Sequence, residues 1–146
     1  FYSSTSQQFF LSGQDGVLIQ GSGNGDNWQI VKTNTKSTLR NVGEAANGDL
    51  IGFGQEQIVL HKPHSSKTWR VVHQQEEGEL RSLHLHPSTE ELFIVGSHGT
   101  LLNSKDNGLS WEKVSLRTDA GFRDMAISTN PLLLVGEKIV MFERNR

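Results

Sequence analysis

The chain has 146 residues, enough for one domain and too few for two independent cores. Hydrophobic residues make up 34% and charged residues 21%, with 15 Gly against 3 Pro, which excludes a disordered or fibrous chain and favours short elements joined by glycine turns. Fourteen Lys and Arg against 16 Asp and Glu give a net charge of −2, a poor match to nucleic acid or an anionic membrane, and the absence of Cys removes thiolate catalysis, Cys-based zinc sites and disulfides.

Residues 1–37 read as a first, partial unit. Phe1 aligns with Val42 and Leu83 further on, so most of an innermost strand is missing, and the later strands lie in FFLSGQDGVLIQGSGNGDNWQIV from Phe9. The chain opens at Phe1 rather than Met, as expected where an upstream segment has been removed or never belonged to the piece in hand. Residues 38–78 form the second unit, TLRNVGEAANGDLIGFGQEQIVLHKPHSSKTWRVV from Thr38. Residues 79–120 form the third, ELRSLHLHPSTEELFIVGSHGTLLNSKDNGLSWEKV from Glu79. Here four strands are predicted around Leu80–His86, Leu92–Val95, Gly99–Ser104 and Ser110–Val114, with tight positive-φ turns between the second and third. Residues 121–146 form the fourth unit, which stops before its last strand. Apolar runs such as Leu92–Val95 and Pro131–Val135 fall far short of the ~20 residues that span a bilayer, and no sustained helical period is present.

Three residue series carry this division. Trp28, Trp69 and Trp111 are 41 and 42 residues apart, and Arg40, Arg81 and Arg123 repeat the same steps, each 12 residues after its Trp. Gly13, Gly54, Gly96 and Gly136 follow with steps of 41, 42 and 40. A four-stranded unit of about 42 residues is the signature of a β-propeller blade. The expected fold is therefore all-β, about three and a half four-stranded blades of a partial or half propeller, with the three tryptophans equivalent and buried between sheets. Open sheet faces and edges at both ends make either a longer propeller or self-association the expected way to close the ring.

Ser104-Lys105-Asp106-Asn107-Gly108-Leu109-Ser110-Trp111 fits the Asp-box pattern S-x-D-x-G-x-x-W of bacterial neuraminidase-type repeats. Asp106 is expected to bond backbone amides, Gly108 to take a left-handed turn and Trp111 to pack between blades, a structural role with no catalysis. In the first unit Gly21, Gly23, Gly25 and Trp28 stand at the matching places, so Ser and Asp are lost. In the second, Lys62, His64 and Ser66 precede Trp69 and the box has decayed.

Leu92–Val114 resembles a unit of the photosystem II stability/assembly factor-like family, whose repeat is close to VGxxGTILxSxDGGxTWxxV. Val95, Gly96, Gly99, Thr100, Leu101, Leu102, Ser104, Asp106, Gly108, Trp111 and Val114 match, and the other units match more weakly through Gly54 and Trp69, Gly13, Gly16 and Trp28, and Gly136. The resemblance implies a propeller, usually of seven blades, with no recognised enzymatic activity or cofactor. It further implies a binding scaffold outside the cytoplasm, periplasmic in a bacterium.

The arginine series is the candidate partner-binding feature. Each Arg lies near the start of an innermost strand, so Arg40, Arg81 and Arg123 are expected to form an arc on one rim, able to grip an acidic or carboxylate-bearing segment of a protein partner. The competing reading is that each Arg pairs with an acid of its own or the next blade, such as Asp124 or Glu79, and ties blades together. His84 and His86 alternate as two metal ligands would, but lack a third, and His61, His64 and His73 read as loop and strand-end residues, so no metal is expected. GSGNGD from Gly21 lacks the Lys and helix of a phosphate loop. A sialidase-like glycosidase is the enzymatic alternative, yet it needs a Tyr nucleophile with Glu and Asp partners, and the single tyrosine is Tyr2. A purely structural repeat module of a larger secreted protein is the third.

Overall fold

The computed structural model describes residues 1–144; the last two residues of the fourth unit lie outside them. Four antiparallel sheets follow one another along the chain, each running from an inner to an outer strand. The first contains β1 (Tyr2–Ser3), β2 (Gln8–Ser12), β3 (Leu18–Ser22) and β4 (Gln29–Val31). The second contains β5 (Leu39–Glu44), β6 (Leu50–Gly54), β7 (Val59–Lys62) and β8 (Arg70–His73). The third contains β9 (Leu80–Leu85), β10 (Leu92–Gly96), β11 (Leu101–Ser104) and β12 (Glu112–Lys113), and the fourth β13 (Phe122–Ile127), β14 (Leu132–Gly136) and β15 (Ile139–Phe142). This is a partial β-propeller. No helix among the described residues is long and apolar enough to cross a membrane.

In the first three blades the turn between the second and third strand holds two consecutive left-handed residues, the conformation that matches strand twist in a two-residue hairpin. They are Asp15 and Gly16 (φ 53° and 70°), Glu56 and Gln57 (56° and 47°), and His98 and Gly99 (53° and 65°).

The two middle blades are buried on both faces because side chains alternate between their neighbours. Phe10 and Leu18 of the first blade meet Leu39, Val42, Leu50, Leu60 and Trp69 of the second. Ile51, Phe53 and Val59 of the second meet Leu80, Leu92, Ile94 and Leu102 of the third, with Trp111 packed alongside. Phe93, Val95 and Leu101 of the third meet Phe122, Met125, Leu132 and Leu134 of the fourth. The residues that face the preceding blade thus recur at the repeat spacing, and the tryptophan is one of them.

That directionality corrects the expectation of three equivalent buried tryptophans. Trp69 is 1% exposed and meets Phe10 edge-on at 6.1 Å, and Trp111 is half-buried, but Trp28 is 43% exposed. Trp28 belongs to the first blade and has no preceding sheet to enter, so its ring lies over Gly21 and near Phe9. Leu11 and Ile30 are exposed with it, and Ile139 and Met141 are exposed on the fourth blade.

The turn before each tryptophan shows what the box residues do. In the third blade, Asp106 Oδ1 accepts the Ser104 hydroxyl at 2.8 Å and the Ser110 N–H at 2.9 Å, Gly108 N–H donates to Ser104 Oγ, and Trp111 Nε1 donates to Gly108 O at 3.0 Å. In the first blade Ser and an acceptor are not lost, as the alignment suggested, but displaced by one position. Ser22 Oγ donates to Asn24 Oδ1, the Asp26 N–H donates to the same oxygen, and Trp28 Nε1 donates to Gly25 O at 2.7 Å. Gly25 and Gly108 have φ 81° and 85°, so glycine there avoids left-handed strain. In the second blade Lys62 takes the serine's place, its Nζ bonded to Ser66 O at 2.7 Å and Pro63 O at 3.2 Å. Asp49 reaches this turn from the loop before β6, accepting from the His64 N–H at 2.9 Å and pairing with His61 Nε2 at 2.8 Å.

Candidate partner-binding rim

β5, β9 and β13 are the inner strands, and each opens with a buried apolar residue, Leu39, Leu80 or Phe122. Directly after it the pairing with the second strand slips. Leu39 pairs with Gly54 but Asn41 with Phe53; Leu80 with Gly96 but Ser82 with Val95; Phe122 with Gly136 but Asp124 with Val135. The residue left without an opposite is Arg40, Arg81 or Arg123. Each is the extra residue of a β-bulge, a device that bends a strand and re-aims a side chain.

The glycine series is the other half of the same device. A Cβ on Gly54, Gly96 or Gly136 would overlap the carbonyl oxygen of Thr38, Glu79 or Gly121, two residues before the arginine. Those carbonyls accept the next N–H of the second strand's turn, Gln55 and Ser97 at 2.9 Å and Glu137 at 3.0 Å. Gly13 has nothing within 4 Å of a Cβ.

The arginines differ in what holds them. Arg40, with half its side chain exposed, pairs with Glu79 of the next blade. Arg81 is 23% exposed; its Nε donates to the same Glu79 at 3.1 Å and its Nη1 to Phe122 O of the following blade at 3.1 Å. Arg123 is exposed and makes no ion pair among the described residues. Both paired arginines reach forward along the ring, so Arg123, with no blade described beyond it, has no equivalent carbonyl or acid to meet.

Asp124, next to Arg123, gathers the Met125 N–H at 2.8 Å, His84 Nε2 at 2.8 Å and the Ser82 hydroxyl at 3.2 Å. The Met125 bond leads in holding its carboxyl below the usual range, partial burial opposes it, and His84 and Ser82 add to the lowering. Ser, His and Asp together suggest an acyl-transfer relay, but Ser82 Oγ contacts His84 Nε2 at 2.9 Å, the nitrogen that Asp124 already holds. A relay needs the carboxylate on one ring nitrogen and the hydroxyl on the other. Beside this cluster a cavity of about 310 Å³ opens between β5 and β9, lined by Phe1, Asn41, Glu44, Arg81, Ser82 and His84 among others.

His86, two residues beyond His84, is 1% exposed and accepts the Ser88 and Thr89 N–H groups at Nδ1, so it caps a turn. Among the described residues no three His, Cys, Asp or Glu side chains gather as metal ligands. Sequence spacing marked the arginines and named Glu79, which does hold Arg40 and Arg81, but also Asp124, which holds His84 and Ser82 instead of an arginine. It missed Ser82 and the bulge, whose one available signal is the glycine lying 14, 15 or 13 residues after each arginine.

Among solved structures, "YCF48 bound to D1 peptide" is similar over 88% of this chain, with 19% identity and a TM-score of 0.58. This chain covers 43% of that one, so it spans less than half of the relative's length. "YCF48 from Cyanidioschyzon merolae" is similar over 94% of this chain and 64% of its own, with 9% identity and a TM-score of 0.41. No curated protein matches the chain. The model of the family described as Photosynthesis system II assembly factor YCF48 matches residues 22–130, about three quarters of the sequence, and the chain belongs to that family.

Proposed function

We propose that this chain is a non-enzymatic protein-binding segment of a propeller, which takes a carboxylate-bearing segment of a protein partner on the rim formed by Arg40, Arg81 and Arg123. The observation that carries the reading is the bulge itself: the same backbone device presents an arginine at the same end of three successive inner strands. A solved relative of the same family holds a D1 peptide, which supports a peptide as the class of partner. Arg123 offers an uncommitted guanidinium, Arg40 a half-exposed one that exchanges Glu79 for the incoming carboxylate, and Arg81 fixes the blades on which both stand. Each charge-assisted contact is worth about 1.5–3 kcal/mol.

Calorimetric titration with that D1 peptide tests the reading. The Arg40→Ala/Arg81→Ala/Arg123→Ala variant should lose binding while keeping its β circular dichroism. Unchanged binding by a folded triple variant would leave the arginines as ties between blades.

The exposed ends of the arc, Trp28 with Leu11 and Ile30 on one side and Ile139 with Met141 on the other, support self-association of the chain as it stands. Sedimentation gives a dimer or larger species if this holds and a 16.2 kDa monomer if it does not. An extracytoplasmic location, periplasmic in a bacterium, rests on the family resemblance; cell fractionation that finds the protein in the cytoplasm would refute it.

A further inference from the structure

A second surface lies apart from the three arginines, between the first blade and the turn that links β7 to β8 in the second. A groove of about 640 Å³ opens there between Gln8, Gln20 and Gln29 on one wall and the Lys62–Lys67 turn on the other. Lys32, Lys62, Lys67 and His64 line it, and no acidic residue does, in a protein whose net charge is −2. The nearest carboxylate fixed to this turn, Asp49, is 10% exposed and engaged by His61 and His64. Lys62 is 8% exposed, and burial holds its ammonium below the usual lysine range while Asp49 opposes that shift.

At the matching turn of the third blade the packing is tight. There Gly108 is pressed against Ile51 and Leu92, so that a Cβ would overlap Ile51. Between the first and second blades the equivalent residue is Ser66, which lines the groove together with Lys62, His64 and Lys67.

We propose that this groove binds an extended acidic peptide segment, with Lys32 and Lys67 at its mouth taking carboxylates and the Gln8, Gln20 and Gln29 amides bonding the peptide backbone. A side-chain amide both donates and accepts, which suits a backbone that does the same. Nucleic acid is disfavoured, since a phosphate backbone selects a longer track of cations than three lysines supply. The site is independent of the arginine rim and adds a second point of attachment.

The test is fluorescence anisotropy of a labelled ten-residue Glu/Asp peptide at low salt. In an Arg40→Gln/Arg123→Gln background, which removes the rim as a competing site, Lys32→Gln/Lys67→Gln, two exposed positions that leave the fold intact, should weaken binding at least tenfold, and Lys36→Gln/Lys105→Gln, exposed lysines outside the groove, should leave it within twofold. In the unmodified protein the side-chain amide NMR signals of Gln8, Gln20 and Gln29 should shift on titration. The proposal is overturned if the unmodified protein does not bind or these signals stay still. It is equally overturned if the lysine variant binds as tightly, if inorganic phosphate displaces the peptide at equal concentration, or if a single-stranded oligonucleotide of equal charge binds more tightly.

Discussion

Lys62 Nζ donates to the carbonyl oxygen of Ser66 at 2.7 Å, and that carbonyl is the repeat equivalent of the one that accepts the tryptophan N–H in the flanking blades. Gly25 O and Gly108 O serve Trp28 and Trp111, whereas Trp69 Nε1 is buried with no partner. Lysine has thus replaced the box serine and taken the indole's acceptor. Lys62→Ser, the residue of the third blade, should free it and stabilise the fold by about 1 kcal/mol, the size of one recovered hydrogen bond. A buried amine with a depressed pKa makes stability rise with pH as the solution passes from the folded value towards the unfolded 10.5, because the unfolded chain then binds more protons. Melting temperatures between pH 8 and 10.5 should show that rise in the parent and not in the variant.

At the acid end stability again rises with pH, for a different reason. Burial pushes Asp106 up, but the Ser110 hydroxyl and N–H and the Ser104 hydroxyl outweigh it and hold the carboxyl below its usual value of 3.8. Its stabilisation is therefore present above pH 3.8 and is lost as pH falls from there through the folded value. Asp106→Asn should melt lower than the parent at pH 7, and the gap should narrow at pH 3.

Burial separates the tryptophans. Trp69→Ala empties the space between the first two blades and should cost about 3–5 kcal/mol, the usual range for a buried aromatic. Trp28→Ala removes a ring that is 43% exposed and should cost less than about 1.5 kcal/mol. Urea unfolding of both variants checks the ratio.

The glycines divide in the same way. Gly96→Ala would drive a methyl group into the Glu79 carbonyl and should cost about 3 kcal/mol or more, at the upper end of overpacking losses. Gly13→Ala, with nothing within 4 Å, should be near neutral by the same denaturation assay.

The phase of the repeat was legible because one backbone problem recurs: each bulge needs a glycine opposite, and each following sheet needs a large ring against the preceding one. Spacing reports such recurrences directly. It does not say towards which neighbour Trp28 points, since both directions give the same period, so its exposure emerged only from the packing. The displaced Ser22 and Asn24 were hidden because alignment on Gly25 and Trp28 fixes a register that hydrogen bonds do not have to obey. Glu79 serving two arginines at once depends on side chains of adjacent blades converging, a three-dimensional fact with no one-dimensional trace.

Arg123 tests the account most directly, being the rim arginine that no acid of the described chain holds. Calorimetric titration with the D1 peptide of the solved relative should show Arg123→Ala binding at least tenfold more weakly than the parent, for the loss of one charge-assisted contact of about 1.5–3 kcal/mol, at an unchanged melting temperature. Parent-like affinity of this variant would contradict the rim as the binding surface.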